Sequence, residues 1–400
     1  MHDRRLLYAA AFLRAFAVSL VGVLLAYHLA AGGFDPVRIG HVVSAGLFGI
    51  AAATLFVTVR GDRLGRRRLL MVLAALSTAG ILVVALSPSP LLAVGAAFLG
   101  MLNGAGRDRG AQLTLEHAIL AGATDPAGRT KAFAWFNLAQ DLGGALGAGA
   151  VALLARVRTL ASIEAAPAHR GGILLAAAAF FACVFLYRAL SRASEGEGPA
   201  ARAPLSPATR RNVVKISALF TLDALGGGFL ASTFLTWFFH ERFGASEGTM
   251  GLLFMGARGL NALSHLGAAW LAKRIGLVNT MVFTHVPSSL FLATIPFAPS
   301  FQVAAVLFLL REGLVEMDVP TRQSYVNGIV RPEERTRVNG ITNLVRMGSW
   351  AVSAEIAGRL LAGAELWVPL VVAAALKIAY DILLWRAFHG TRPPEEVARG

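Results

Sequence analysis

Cysteine is almost missing from this 400-residue chain: Cys183 stands alone, inside an apolar run. A single thiol excludes an intrachain disulfide and any metal site built from several thiolates. Charge is scarce as well, at 15% of residues, and the acids are outnumbered, 23 Asp and Glu against 37 Lys and Arg. No His-Glu-x-x-His pattern, nucleotide-binding loop or catalytic triad is present, so nothing points to enzymatic chemistry, ATP drive, a cofactor or a bound metal. What is abundant is apolar surface. With 56% hydrophobic residues and a mean hydropathy of +0.61, the chain is too apolar to face water all round. Lipid must be its solvent over much of that surface.

Apolar runs bounded by charge, Pro or Gly fall near 6–31, 37–59, 69–87, 90–117, 131–156 and 171–190, and again near 213–240, 247–272, 277–298, 300–326, 337–363 and 366–388. Each is long enough to cross a hydrocarbon core, which takes about 20 residues of helix. The first run is long for a signal peptide and leads straight into the second, so it is expected to be a retained helix. The spacing predicts an all-α membrane protein of twelve transmembrane helices in two six-helix bundles. The expected organisation is a bundle over 1–190, a linker over 191–212 rich in Pro and charge, a second bundle over 213–390 and a tail over 391–400. Boundaries are soft in the fourth, fifth and tenth spans, where polar residues interrupt the pattern.

The net charge of +14 would suggest nucleic acid in a soluble protein, but the basic residues sit between the runs and on alternate loops. One side carries Arg60, Arg63, Arg66, Arg67 and Arg68, the linker arginines, and Lys273 and Arg274; the other has little beyond Arg38, Arg158, Arg170 and Arg242. Lys and Arg are held on the cytoplasmic side of a membrane. The expectation is therefore a multi-pass protein of the inner membrane, monomeric, with both termini cytoplasmic, in contact with lipid and not with nucleic acid.

Between the second and third runs the chain reads Thr58-Val-Arg-Gly-Asp62-Arg63-Leu-Gly65-Arg66-Arg67-Arg68. This resembles the signature loop of the major facilitator superfamily, Gly-x-x-x-Asp-Arg-x-Gly-Arg-Arg, at the place where that family carries it; Thr58 stands where the pattern has its first Gly. The resemblance implies the major facilitator fold and secondary transport. It also implies a cytoplasmic latch in which Asp62, with Arg63, Gly65, Arg66 and Arg67, holds the halves together when the cavity opens outward. The second half has a degenerate copy, Ala269-Trp-Leu-Ala-Lys273-Arg274-Ile-Gly276, with Lys for Asp. Gly106-Arg107-Asp108-Arg109-Gly110 in the fourth run places an Arg where the drug and proton antiporters of the family carry one, which suggests that branch, although the surrounding pattern differs. Weak internal repeats agree with two halves: Arg129-Thr130 and Arg335-Thr336 are each followed, eight residues on from the Arg, by Asn137 and Asn343.

Charged residues at hydrocarbon depth persist only beside a partner or a wet cavity. The tenth run holds Arg311, Glu312, Glu316, Asp318 and Arg322, with Arg311, Asp318 and Arg322 on one face of a continuous helix; the fourth holds Asn103, Arg107, Asp108, Arg109, Gln112 and Glu116. Arg258, Asn261 and His265 form a stripe in the eighth. The predicted substrate cavity comprises Arg14, Asp223, Arg258, Asn261, His265, Arg311 and Glu312. Asp223, Glu312 and Glu316 are the proton-coupling candidates, with His265 and His285 weaker ones. A cytoplasmic gate is expected from the signature loop together with Arg107, Asp108, Asn137, Asp141, Asp318, Arg322, Asn343 and Arg346. Gly226-Gly227-Gly228 is expected to allow bending or close packing after Asp223, and Lys377 and Asp381, four apart, are expected to pair locally. Glu355 has no evident role.

The function these features predict is proton-coupled export of a small organic solute by alternating access, of the multidrug type. Uptake or exchange of an organic anion or metabolite is the alternative, because the cavity charges are mixed. A membrane receptor or assembly protein that transports nothing is the reading of another class, and intramembrane charge in both halves counts against it.

Overall fold

In the computed structural model of the chain, the described residues are 2–125, 129–195, 206–328, 330, 334–363 and 365–389. They are almost wholly helical, with no strand among them. In chain order the helices are α1 (His2–Ala31), α2 (Pro36–Leu64), α3 (Arg66–Leu86), α4 (Pro90–Gly100), α5 (Ala111–Gly122), α6 (Arg129–Leu160), α7 (Ala165–Arg188), α8 (Pro207–Gly228), α9 (Ser232–Phe243), α10 (Glu247–Ile275), α11 (Leu277–Thr294), α12 (Phe301–Val315), α13 (Asp318–Gly328), α14 (Arg335–Gly363) and α15 (Val368–Phe388). The expected twelve spans are present, but three are broken: α4 and α5 form the fourth, α8 and α9 the seventh, bent by 41°, and α12 and α13 the tenth.

Local chemistry places the starts. Asp35, Ser89, Ser206 and Ser300 cap helices with their side-chain oxygens, and the first three are followed by Pro36, Pro90 and Pro207, whose missing N–H costs nothing in a first turn. The exterior is apolar and the interior holds the charge. Leu91, Leu153, Leu263 and Phe283 are largely exposed, whereas Arg14 and Asp381 are fully buried. That inversion suits a hydrocarbon surround. Among the described residues seven helices are long and apolar enough to cross a membrane singly; α10 and α14 are diluted by their charges.

Two compact units are present. The first comprises Met1–Ala200, Ala231–Met255 and Ala354–Gly363. Within it α1 packs against α6 and α7, α3 against α7 and α4, and α2 against α4. Gly143 and Gly147, one turn apart on α6, let the backbones of α6 and α1 touch: a Cβ at either would stand 2.2 Å or 2.1 Å from the carbonyl oxygens of Phe12 and Phe16. The second unit comprises Ala201–Leu230, Gly256–Ser353 and Ala364–Gly400. There α11 packs against α15, α12 and α13, and α15 against α8, over a core that includes Phe220, Met281, Tyr325, Tyr380 and Leu384. The expected tight approach at the triple glycine is present, since a Cβ on Gly228 would lie 2.6 Å from the carbonyl of Trp350.

Candidate functional site

A helix broken at membrane depth exposes backbone polar groups that hydrocarbon cannot satisfy, so irregular chain occurs there only where protein or water meets it. The fourth span stops at Met101, whose φ of 54° is left-handed, and resumes at Ala111 after three glycines in seven residues, 104 to 110. Asn103 organises the gap, accepting from the Ala105 N–H at 3.1 Å and donating to the Arg107 carbonyl at 2.7 Å. The carbonyls released at Gly104 and Ala105 accept from the hydroxyls of Thr233, at 3.0 Å, and Ser232, at 3.1 Å. Both donors start α9, immediately after the break in the seventh span. In the tenth span Pro320 explains the interruption at Glu316 and Met317: its ring would clash with the carbonyl four residues back, and it has no N–H to donate. The expected common face of Arg311, Asp318 and Arg322 therefore does not exist, because the helix is not continuous.

In the first unit the gap in the fourth span delivers Asp108 to Arg14 of α1, Nη2 to Oδ2 at 2.7 Å. Arg14 also bonds the carboxylate of Glu116 on α5 and, at 2.5 Å, the hydroxyl of Tyr187 on α7. Tyr187 donates to Oε1 of Glu116 at 2.8 Å, and Gln140 of α6 donates to Asp108 at 3.1 Å. Arg14 is fully enclosed and lines no open cavity in this arrangement: Nη1 and Nη2 meet Glu116, Tyr187 and Asp108, while Nε is buried without a hydrogen-bond partner among the described residues. Glu116 and Tyr187 were not among the expected site residues. A glutamate near the end of an apolar run gives little signal without the helix break that turns it inward.

In the second unit four helices converge on Asp223 of α8. Lys377 of α15 meets Oδ1 at 2.8 Å, Arg322 of α13 meets Oδ2 at 3.5 Å, Arg346 of α14 meets Oδ2 at 3.7 Å, and His285 Nε2 of α11 lies 3.9 Å from Oδ1. Arg322 is paired to Asp318 as well, and Nδ1 of His285 lies 2.9 Å from both oxygens of Asp381. Phe220 lies beneath two guanidinium groups, 5.2 Å from that of Arg322 and 5.7 Å from that of Arg346. Three cations, Arg322, Arg346 and Lys377, thus face three acids, Asp223, Asp318 and Asp381, with His285 between Asp223 and Asp381. The expected local pairing of Lys377 with Asp381 is not formed: each has a closer partner on another helix.

Glu312, on α12, accepts from the Asn261 side chain of α10 at 2.9 Å and is paired with its neighbour Arg311. All three are buried, and Glu316 caps the end of α12. Arg258 is half-buried one turn before Asn261, while the side chain of His265 lies outside the described residues. In the gate set, Asp108 belongs to the Arg14 network of the first unit and Arg322 and Arg346 to the Asp223 network of the second. Asn137 and Asn343 are exposed, and Asp141 and Arg107 are half-buried. Glu355 acquires partners, His41 at 2.9 Å and Arg359 at 2.9 Å. Among the described residues no group of three or more His, Cys, Asp or Glu could hold a metal ion.

The signature loop turns at Gly65, with φ 88°, and its degenerate copy turns at Gly276, with φ 86°. The same left-handed residue joins second to third and eighth to ninth spans although Asp has become Lys in the copy. The side chain of Asp62 lies outside the described residues; Arg63 is exposed and Arg66 half-buried. Arg67 is engaged through its backbone N–H, 3.4 Å from Glu195, and through its guanidinium, on the carbonyl of Arg188.

Comparison with known proteins adds to this geometry. Over 97% of the chain and 94% of the relative, the sequence is 25% identical to an uncharacterized membrane protein of Saccharomyces cerevisiae, YJR124C. Among solved structures, the nucleoside transporter NupG superposes with a TM-score of 0.74 at 13% identity, covering 97% of this chain and 99% of that one. A D-xylose–proton symporter superposes with a TM-score of 0.72 at 14% identity, covering 96% of both chains. The human organic anion transporter MFSD10 does so with a TM-score of 0.62 at 18% identity, covering 96% of this chain and 99% of that one. At such identities the likeness is one of fold. The model of the Major Facilitator Superfamily matches residues 7–354, and with that span matched this multi-pass membrane chain belongs to the major facilitator superfamily of secondary transporters.

Proposed function

We propose that the protein is a proton-coupled carrier that exports a small organic solute across the cytoplasmic membrane by alternating access of its two six-helix halves, 1–190 and 213–390. The single observation that carries this reading is the Asp223 network. A set of three cations and three acids, drawn from five helices and balanced to within one histidine proton, is unnecessary for packing alone, because buried ion pairs barely repay their desolvation. It suits a site that exchanges partners during a cycle. Asp223, with His285 and Asp381, is the proton-linked group on the second unit, and Glu312 with Asn261, Arg311 and Arg258 forms the solute-binding patch beside it. Glu316 remains a coupling candidate at the end of α12. The Asp62 loop serves as the latch, the termini face the cytoplasm, and the carrier works as a monomer in contact with lipid.

The test is flux in proteoliposomes holding the purified full-length protein, with a fluorescent amine dye as the first probe. An imposed pH gradient should drive dye movement, and Asp223→Asn should abolish the drive while leaving part of the dye exchange intact. Dye movement insensitive to the gradient in the wild type would reject proton coupling. A second reading, transport of an organic anion, is favoured by one observation: Arg346 shares Asp223, at 3.7 Å, with the closer Lys377 and retains 14% of its side-chain surface. A carboxylate solute could displace Asp223 from it. Uptake of an anionic dye, lost in Arg346→Gln, would select that reading over the first.

A further inference from the structure

The Arg14 cluster of the first unit has no assigned role, and its charges do not balance. Two carboxylates, Asp108 and Glu116, compete for one guanidinium, and the site is closed: the side chains of Arg14 and Glu116 are 0% exposed and that of Asp108 is 6%. The groups facing Glu116 from the surrounding helices are Arg14 of α1 and Tyr187 of α7, with Asp108 on the far side of Arg14. Cys183 of α7 is turned to the Ala10 carbonyl, and His117 follows Glu116 on α5 against Phe133 and Phe136. Arg107 and Arg109 flank Asp108 in the chain and are half-buried, whereas Glu116 is fully enclosed.

With both acids ionised the enclosed set carries one unmatched negative charge, and a buried unmatched charge is removed by binding a proton more readily than it is tolerated. The hydrogen bonds show where. Oε1 of Glu116 is held by both Arg14 and Tyr187, while Oε2 is buried without a hydrogen-bond partner among the described residues. An ionised oxygen without a donor is the costlier occupant of such a place; an oxygen already carrying its hydrogen is the cheaper.

We propose that Glu116 is a proton-binding site, holding its hydrogen on Oε2 while Arg14 is committed to Asp108, and releasing it when Asp108 is neutralised or engaged by a cation from outside the cluster. On release the O–H bond breaks, the electron pair stays on Oε2, the proton passes to water, and Arg14 becomes the sole counter-ion of Glu116. One positive charge arriving at Asp108 thereby expels one proton. The role of this exchange in transport rests on the carrier reading above; proton binding itself does not, and is measured without any solute.

The experiment is infrared spectroscopy of the purified full chain in lipid at neutral pH, with the proton as the only ligand. A carbonyl band of a protonated carboxylic acid is expected, lost in Glu116→Gln. Tyr187→Phe removes a donor to Oε1 and should move the band to higher wavenumber, which a proton on Asp108 would not do. Asp108→Asn frees Arg14 for Glu116 and should abolish the band at the same pH. A spectrum without the band, or a band that Tyr187→Phe leaves in place, overturns the proposal. If Glu116→Gln does not fold, the Tyr187→Phe and Asp108→Asn variants decide it alone. Absent dye flux with the band present would sink the carrier reading and leave this one standing.

Discussion

Lys377 pairs with Asp223 at 2.8 Å, across from α15 to α8, in preference to Asp381 one turn away on its own helix. Asp381 is correspondingly free for His285, and the two pairings together tie α8, α11 and α15 into one network. Removing one member of a buried pair leaves an uncompensated charge at a cost of about 3–5 kcal/mol. Lys377→Met should therefore lower the thermal midpoint of the purified protein sharply, and the double variant Lys377→Met with Asp223→Asn should recover most of the loss. If the double variant is as unstable as the two single losses combined, Lys377 and Asp223 do not act as a pair.

His285 stands between two acids of the Asp223 network, 2.9 Å from Asp381 and 3.9 Å from Asp223. A proton on it turns a set of three cations against three acids into one carrying an extra positive charge, shared by both carboxylates. His285→Gln keeps a hydrogen-bonding side chain and cannot take that charge. Dye flux driven by an imposed pH gradient should fall severalfold in the variant. Equal gradient-driven flux in the two proteins would remove His285 from the coupling.

The number of spans and the turn at Gly65 were legible from the sequence because both rest on local chemistry: runs long enough for hydrocarbon, and a Gly in a short basic loop. The need of Asp223, Asn261 and Glu312 for protein partners was legible as well, since their charge or polarity at depth demands them. The partners themselves were not. Periodicity pairs Lys377 with Asp381 and sets Arg311, Asp318 and Arg322 on one face by assuming continuous helices and nearest neighbours. Pro320 and the Met101–Gly110 gap break that assumption, and long lysine and arginine side chains reach to other helices. Glu116 was missed for the same reason, because its inward turn depends on a break whose depth the composition does not reveal.

Gly65 and Gly276 occupy matching turns with φ of 88° and 86° and extended ψ of 120° and 165°, a sparsely populated region that costs a residue bearing a Cβ about 1–3 kcal/mol. A Cβ at Gly65 would also stand 2.9 Å from Glu195 Oε2, but that carboxylate ends a flexible side chain and can swing aside. Ala at either position should thus destabilise by about 1–3 kcal/mol, set by the backbone. Gly95→Ala, inside α4 with open space around it, should instead stabilise by about 0.5–1 kcal/mol through helix propensity. Thermal midpoints of the three variants check the signs, and a neutral Gly276→Ala would mean that the two loops are not equivalent turns.

The breaks in the fourth and seventh spans satisfy each other, since Ser232 and Thr233 donate to the carbonyls that the Met101–Gly110 gap releases. Thr233 also donates through its backbone N–H to Gly104 at 3.2 Å, a bond that substitution leaves in place. Ser232→Ala with Thr233→Val removes only the hydroxyls, each contributing about 0.5–1.5 kcal/mol, so a loss of about 1–3 kcal/mol is expected. Its location is more informative than its size. Hydrogen exchange should rise over 101–110 and at the start of α9 together, because each segment supplies what the other lacks. An increase confined to α9, with the gap in the fourth span still protected, would show that Asn103 alone holds that gap and that the two breaks are independent.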